Sequence, residues 1–133
     1  MHAASMSMGL SGAIGLIVVA LAVWLTTSAN ARDGAEPSRF AGIRTAATTA
    51  SPRAWVAGHR AALPGARLLA GFCSVVAVVL VLTPFLGGEG DSPNAATLAA
   101  FIVGFAGVLI GSFRLAAVAG RAAQEEQGPF RRR

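Results

Sequence analysis

Apolar residues in this chain do not recur at the spacing of an amphipathic core helix. They gather in three long runs, at residues 9–27, 68–85 and 96–118, separated by segments rich in Arg or Gly. A helix of about 20 residues crosses the hydrocarbon of a bilayer, and each run matches or approaches that length. The pattern predicts an all-α integral membrane protein with three transmembrane helices in one membrane domain over residues 1–133. Trp24 falls near the end of the first run, where an interfacial aromatic sits well. Pro84 comes late enough in the second to end or bend its last turn without breaking the middle. Arg114 is the one charge inside the third, and its long stem can reach back to the headgroups.

Composition strengthens this picture: of 133 residues, 54% are hydrophobic and 13% charged, which makes lipid part of the solvent. All eleven basic residues are Arg and the net charge is +5. The heavy use of Ala, Gly, Val and Arg fits a GC-rich bacterial genome, and a bacterial cell membrane is the expected location. The basic excess does not point to nucleic acid, because these arginines flank apolar runs and form no patch on a recognisable nucleic-acid-binding fold. They bear on orientation instead. Arg32, Arg39, Arg44, Arg53, Arg60 and Arg67 lie in the segment 28–67, and Arg121, Arg131, Arg132 and Arg133 lie in the tail 119–133. The connection between the second and third runs holds Glu89 and Asp91 and no basic residue. The positive-inside rule therefore puts the long segment and the tail in the cytoplasm, with the N-terminus and the acidic connection outside. A cleaved signal peptide ending at Ala29-Asn30-Ala31 is the competing reading; the stretch ahead of the first run lacks basic residues, so an uncleaved anchor is expected.

Little in the chain suggests chemistry. No nucleophile with a base, no paired carboxylates and no phosphate loop is present, so no catalytic residue, no cofactor and no enzymatic activity are expected. Cys73 is a lone cysteine in an apolar run and is expected to pack as a small hydrophobe. His59 has no Cys, Asp or second His at ligand spacing, and His2 falls on the opposite expected side, so no metal site is expected. The runs hold almost no ionisable group near their middles, which argues against ion transport by a single subunit. Gly104, Gly107 and Gly111 are small residues at helical spacing in the third run. They are expected to let the three helices of one subunit approach closely, with a homodimer seam as the alternative.

The most informative stretch is residues 38–68. Ser51 before Pro52 reads as a helix start, with a side-chain cap and a proline whose missing N–H costs nothing in the first turn. A short helix over residues 52–63 follows, on which Trp55, Val56, His59 and Leu63 share a face flanked by Arg53 and Arg60. This amphipathic cytoplasmic helix, between the first and second spans, is expected to lie in the membrane surface with its apolar face toward the acyl chains. Pro64 and Gly65 are then expected to turn the chain into the second span.

This segment resembles the SdpI family of bacterial membrane proteins, which are associated with immunity to a sporulation-delaying peptide toxin. The resemblance rests on the box Gly42-Ile43-Arg44-Thr45, on Thr48, on Trp55, and on His59-Arg60 four residues beyond that Trp. Ser38 stands where the family pattern has Asn, and Ala46 and Ala47 stand where members often carry Pro and Trp. The resemblance implies protection against a membrane-active peptide toxin, or relay of its presence to a cytoplasmic regulator. It also implies that fuller members carry a further membrane module ahead of this one. Physically, Gly42 can permit a tight turn or a close approach, Arg44 can offer its forked donors to phosphate or helix-end carbonyls, and Thr45 and Thr48 can cap locally. The alternative function is a small structural subunit that packs against a larger membrane complex through the glycines of the third span. Beyond the lipid bilayer, the expected partners are thus a peptide, a regulator or such a complex.

Overall fold

A computed structural model describes residues 3–86 and 92–128; His2, Glu89, Asp91 and the arginines at 131–133 lie outside the described residues. Three long helices account for most of the chain: α1 (Ala3–Asn30), α2 (Pro52–Leu82) and α3 (Ala95–Glu126). Short 3₁₀ turns occupy Thr48–Ala50 and Thr83–Leu86, and no strand occurs among the described residues. All three helices, with α2 counted through its 3₁₀ end, are long and apolar enough to cross a membrane. Each expected span lies inside one of them. At 1.5 Å per residue the 28 residues of α1 extend about 42 Å, so the helical ends outrun the roughly 30 Å hydrocarbon layer.

One expectation is corrected. No separate amphipathic helix lies between the first and second spans: residues 52–63 form the opening turns of α2, which continues unbroken through Pro64 into the apolar run. A proline removes one hydrogen bond, here to the Arg60 carbonyl, and membrane helices tolerate that where packing holds the flanking turns. The flanking Ala62 and Ala66 are 1% and 0% exposed, while the Pro64 ring itself is exposed.

The helices divide into two compact units. The first comprises residues 1–21 and 69–110. Its core is small and tight. A Cβ on Gly104 would lie 3.0 Å from both Leu16 Cδ1 and Val76 Cγ1, and one on Gly107 would run into the Phe72 ring. These two glycines therefore face side chains of their own chain, as close helix packing in lipid requires. Gly111, half-buried, already belongs to the second unit, whereas Cys73 in the first is buried and free. A polar knot closes one end of this unit: the Asn94 backbone N–H donates to Ser5 Oγ at 2.9 Å, the Asn94 side-chain amide donates to the Thr83 carbonyl at 2.9 Å, and Thr97 Oγ1 bonds Thr83 Oγ1 at 3.1 Å. Asn94 also caps α3, its Oδ1 accepting the Thr97 N–H at 2.8 Å.

The second unit comprises residues 22–68 and 111–133, of which those up to 128 are described. Its core is built mainly from Ala54, Trp55, Ala62, Ala66, Leu115, Ala119 and Ala123. The alanines keep the helix backbones close. Gly58 has no room for a side chain between Thr48 and the Ala119 carbonyl. Among the described residues every charged side chain belongs to this unit, and the first unit carries none.

Candidate functional site

The residues of the sequence box converge on the opening turns of α2, inside the second unit. Helix α2 starts as its sequence requires: Ser51 is extended, its Oγ accepts the Ala54 N–H at 3.1 Å, and Pro52 takes the first helical position. This start fixes where Trp55, His59 and Arg60 point. The indole N–H of Trp55 donates to Asn30 Oδ1 at 3.0 Å, and the Asn30 amide donates back to the Thr26 carbonyl at 2.7 Å. A buried indole needs such a partner. Arg60 Nε donates to the Ala31 carbonyl at 2.9 Å just past the end of α1, and its outer nitrogen pairs with Asp33 at 2.6 Å. That ion pair is largely exposed and adds little alone.

The connecting loop is strapped across this surface. The Ile43 N–H donates to His59 Nε2 at 2.8 Å, while His59 Nδ1 lies 2.8 Å from the Trp55 carbonyl. An amide N–H can only donate and a carbonyl can only accept, so Nδ1 carries the proton and the ring is neutral. His59 is fully buried and lies ahead of the apolar run of α2, which begins at Leu68. Burial lowers its pKa below the ordinary 6.5, and the bond to the Trp55 carbonyl pulls the other way. Gly42 carries φ +107°, and a Cβ there would sit 2.7 Å from His59 Nε2 and 2.8 Å from the Trp55 ring. Only glycine lets the loop lie this close to the tilted Trp55–His59 pair, whose ring centroids are 4.3 Å apart.

The rest of the box ties the loop to itself. Thr45 and Thr48 cap one another: Thr48 Oγ1 accepts the Thr45 N–H at 2.8 Å, and Thr45 Oγ1 accepts the Thr48 N–H at 3.1 Å. Thr48 Oγ1 also donates to the Ile43 carbonyl at 2.8 Å. Ser38 Oγ accepts the N–H groups of Phe40 and Ala41, each at 3.2 Å, which is the turn-forming work an Asn would do in its place. The Ser38 carbonyl accepts from the Arg44 guanidinium, which remains exposed. Gln127, just past α3, donates to the Ala47 carbonyl at 3.0 Å and holds the loop from the other side.

Gly42, Ile43, Thr45, Thr48, Trp55 and His59 are thus brought together in one hydrogen-bonded knot, with Arg44 and Arg60 at its rim. Gly104, Gly107 and Gly111 are not part of it. Trp55 and His59, expected to face the acyl chains, are both 0% exposed inside the protein. Their ring nitrogens find partners on Asn30 and Ile43, partners that helical periodicity of one segment could not reveal. The roles of Asn30 and Gln127 left no signal in the local sequence, whereas Ser38 was marked only as the position where the family pattern has Asn. Beside the knot lies a cleft of ≈ 430 Å³ lined by Asp33, Arg53, Val56, Arg60 and Glu126 among others. Among the described residues no three His, Cys, Asp or Glu side chains come together to hold a metal ion.

The sequence model of the SdpI/YfhL protein family matches residues 35–118, from the loop through α2 and most of α3. The chain belongs to the SdpI/YfhL protein family. The match covers every residue of the knot drawn from the loop and α2, while Asn30 and Gln127 lie just beyond its two ends. No curated protein and no solved structure matches the chain. In this SdpI-family chain, the box residues with buried side chains secure the loop, Arg60 ties α2 to the end of α1, and the Arg44 guanidinium stays exposed at the surface.

Proposed function

We propose that this SdpI-family protein works by binding at a bacterial cell membrane and not by catalysis, protecting against a membrane-active peptide or passing on its presence to a cytoplasmic regulator. The observation that carries this reading is the family match over residues 35–118, which takes in the whole box. In the proposed topology the N-terminus faces outward and the arginine-bearing second unit faces the cytoplasm, in keeping with the positive-inside rule. Arg44 is the proposed contact residue. Its guanidinium is exposed, and its bond to the Ser38 carbonyl occupies only part of a five-donor fork. The accessory-subunit reading is the weaker one, because Gly104 and Gly107, its proposed contact face, already meet side chains of their own chain.

The test is survival of a peptide-sensitive bacterial host, with and without this protein, against a panel of membrane-active peptides, with membrane insertion measured in parallel. Protection against one or more peptides is the expected result. A host that inserts the protein at good levels and stays fully sensitive would overturn the proposal.

A further inference from the structure

Phe40 is 97% exposed, at the tip of a turn that is rigidly built. Ser38 braces the turn through the N–H groups of Phe40 and Ala41, and the Arg44 guanidinium ties back to the Ser38 carbonyl. Two residues after Ala41, Ile43 is fastened to buried His59. An aromatic ring held out in this way does not cover any part of its own chain. Arg39 beside it is exposed, as is Arg44. Across the second unit, eight exposed arginines face four carboxylates among the described residues. The point of attachment also matters. His59 lies on the arginine-bearing opening turns of α2, nine residues before Leu68, where the second apolar run begins. The turn is therefore anchored on the arginine-bearing end of α2, the end that leads into the second span.

We propose that the turn around Phe40 docks on anionic lipid headgroups, the Phe40 ring entering the interface and Arg39 meeting lipid phosphates. An aromatic ring flanked by cationic side chains suits that layer, since the ring gains from leaving water and the guanidinium from a negative surface potential. This docking is independent of whether a peptide is the protein's ligand.

The test uses the full-length protein with Trp24→Phe and Phe40→Trp, reconstituted in phosphatidylcholine alone or mixed with phosphatidylglycerol, with and without brominated acyl chains. Buried Trp55 is then the only other tryptophan, and its steady emission reports that the fold is intact. The expected result is emission from position 40 that is blue-shifted and quenched by brominated chains in the anionic mixture, and much less so in phosphatidylcholine. Adding Arg39→Ala should shift the balance between docked and undocked turn by about fivefold, the factor for one basic side chain at an anionic surface. Solvent-like, unquenched emission in both lipids would overturn the proposal, as would equal quenching in both. A shift that appears only as the protein-to-lipid ratio rises would assign the turn to a second copy, and one that needs added cytoplasmic extract would assign it to a protein partner; either would also overturn it.

Discussion

Gly42 lies against the Trp55–His59 pair with no space for a β-carbon and with a φ that L side chains rarely adopt. Gly42→Ala should therefore cost about 1–3 kcal/mol of stability, read as a lower unfolding temperature in detergent; an unchanged temperature would mean that the loop does not lie as described. His59 gives a pH dependence whose sign follows from its lowered pKa. The folded protein disfavours the imidazolium, so the unfolded chain binds the extra proton first as pH falls. The contribution of His59 is present above pH 6.5 and is lost as pH drops from there through the depressed folded value. Thermal unfolding measured from about pH 8 to about pH 5 should fall with acid in the wild type and fall less steeply in His59→Gln. Equal slopes would remove His59 as the source. At this scale the residue types of the box were legible: a glycine for close approach and threonines for local caps. The fate of Trp55 and His59 was not, because a 3.6-residue period shows which side chains share a face and not what that face meets.

Helix α2 shows the same limit along its length. Its start was legible, since a serine cap and an N-terminal proline act within a few residues; Ser51→Ala should cost about 1 kcal/mol. Its continuity was not, since Pro64-Gly65 reads locally as a turn, whereas burial of Ala62 and Ala66 keeps the helix running. An interior proline is carried at the expense of up to about 3 kcal/mol relative to alanine. Pro64→Ala should therefore raise the unfolding temperature by restoring an N–H for the Arg60 carbonyl, and a fall would indicate that the proline itself shapes α2. In α3, Gly107→Leu should disrupt the first unit, because the added side chain collides with Phe72. Loss of monodisperse protein on gel filtration in detergent checks this, and a well-behaved variant would show that the helices can separate there without cost.

Over the whole molecule, the apolar runs were the clearest signal in the sequence, and each became a helix long and apolar enough to cross a membrane. Length and hydropathy suffice for that because lipid leaves the backbone no alternative to internal hydrogen bonding. The ties between distant segments, such as Asn30 to Trp55 or Ser5 to Asn94, depend on how the helices pack and left no mark in local pattern. All charge among the described residues gathers in the second unit, where the family box holds its loop in place and leaves Arg44 exposed. The most direct measurement is peptide resistance of host cells carrying wild-type protein or Arg44→Ala at matched membrane levels, with unfolding temperature measured on both purified proteins. The expected result is a large loss of protection in Arg44→Ala with little change in unfolding temperature. Full protection by Arg44→Ala would contradict the assignment of binding to the exposed rim of the box.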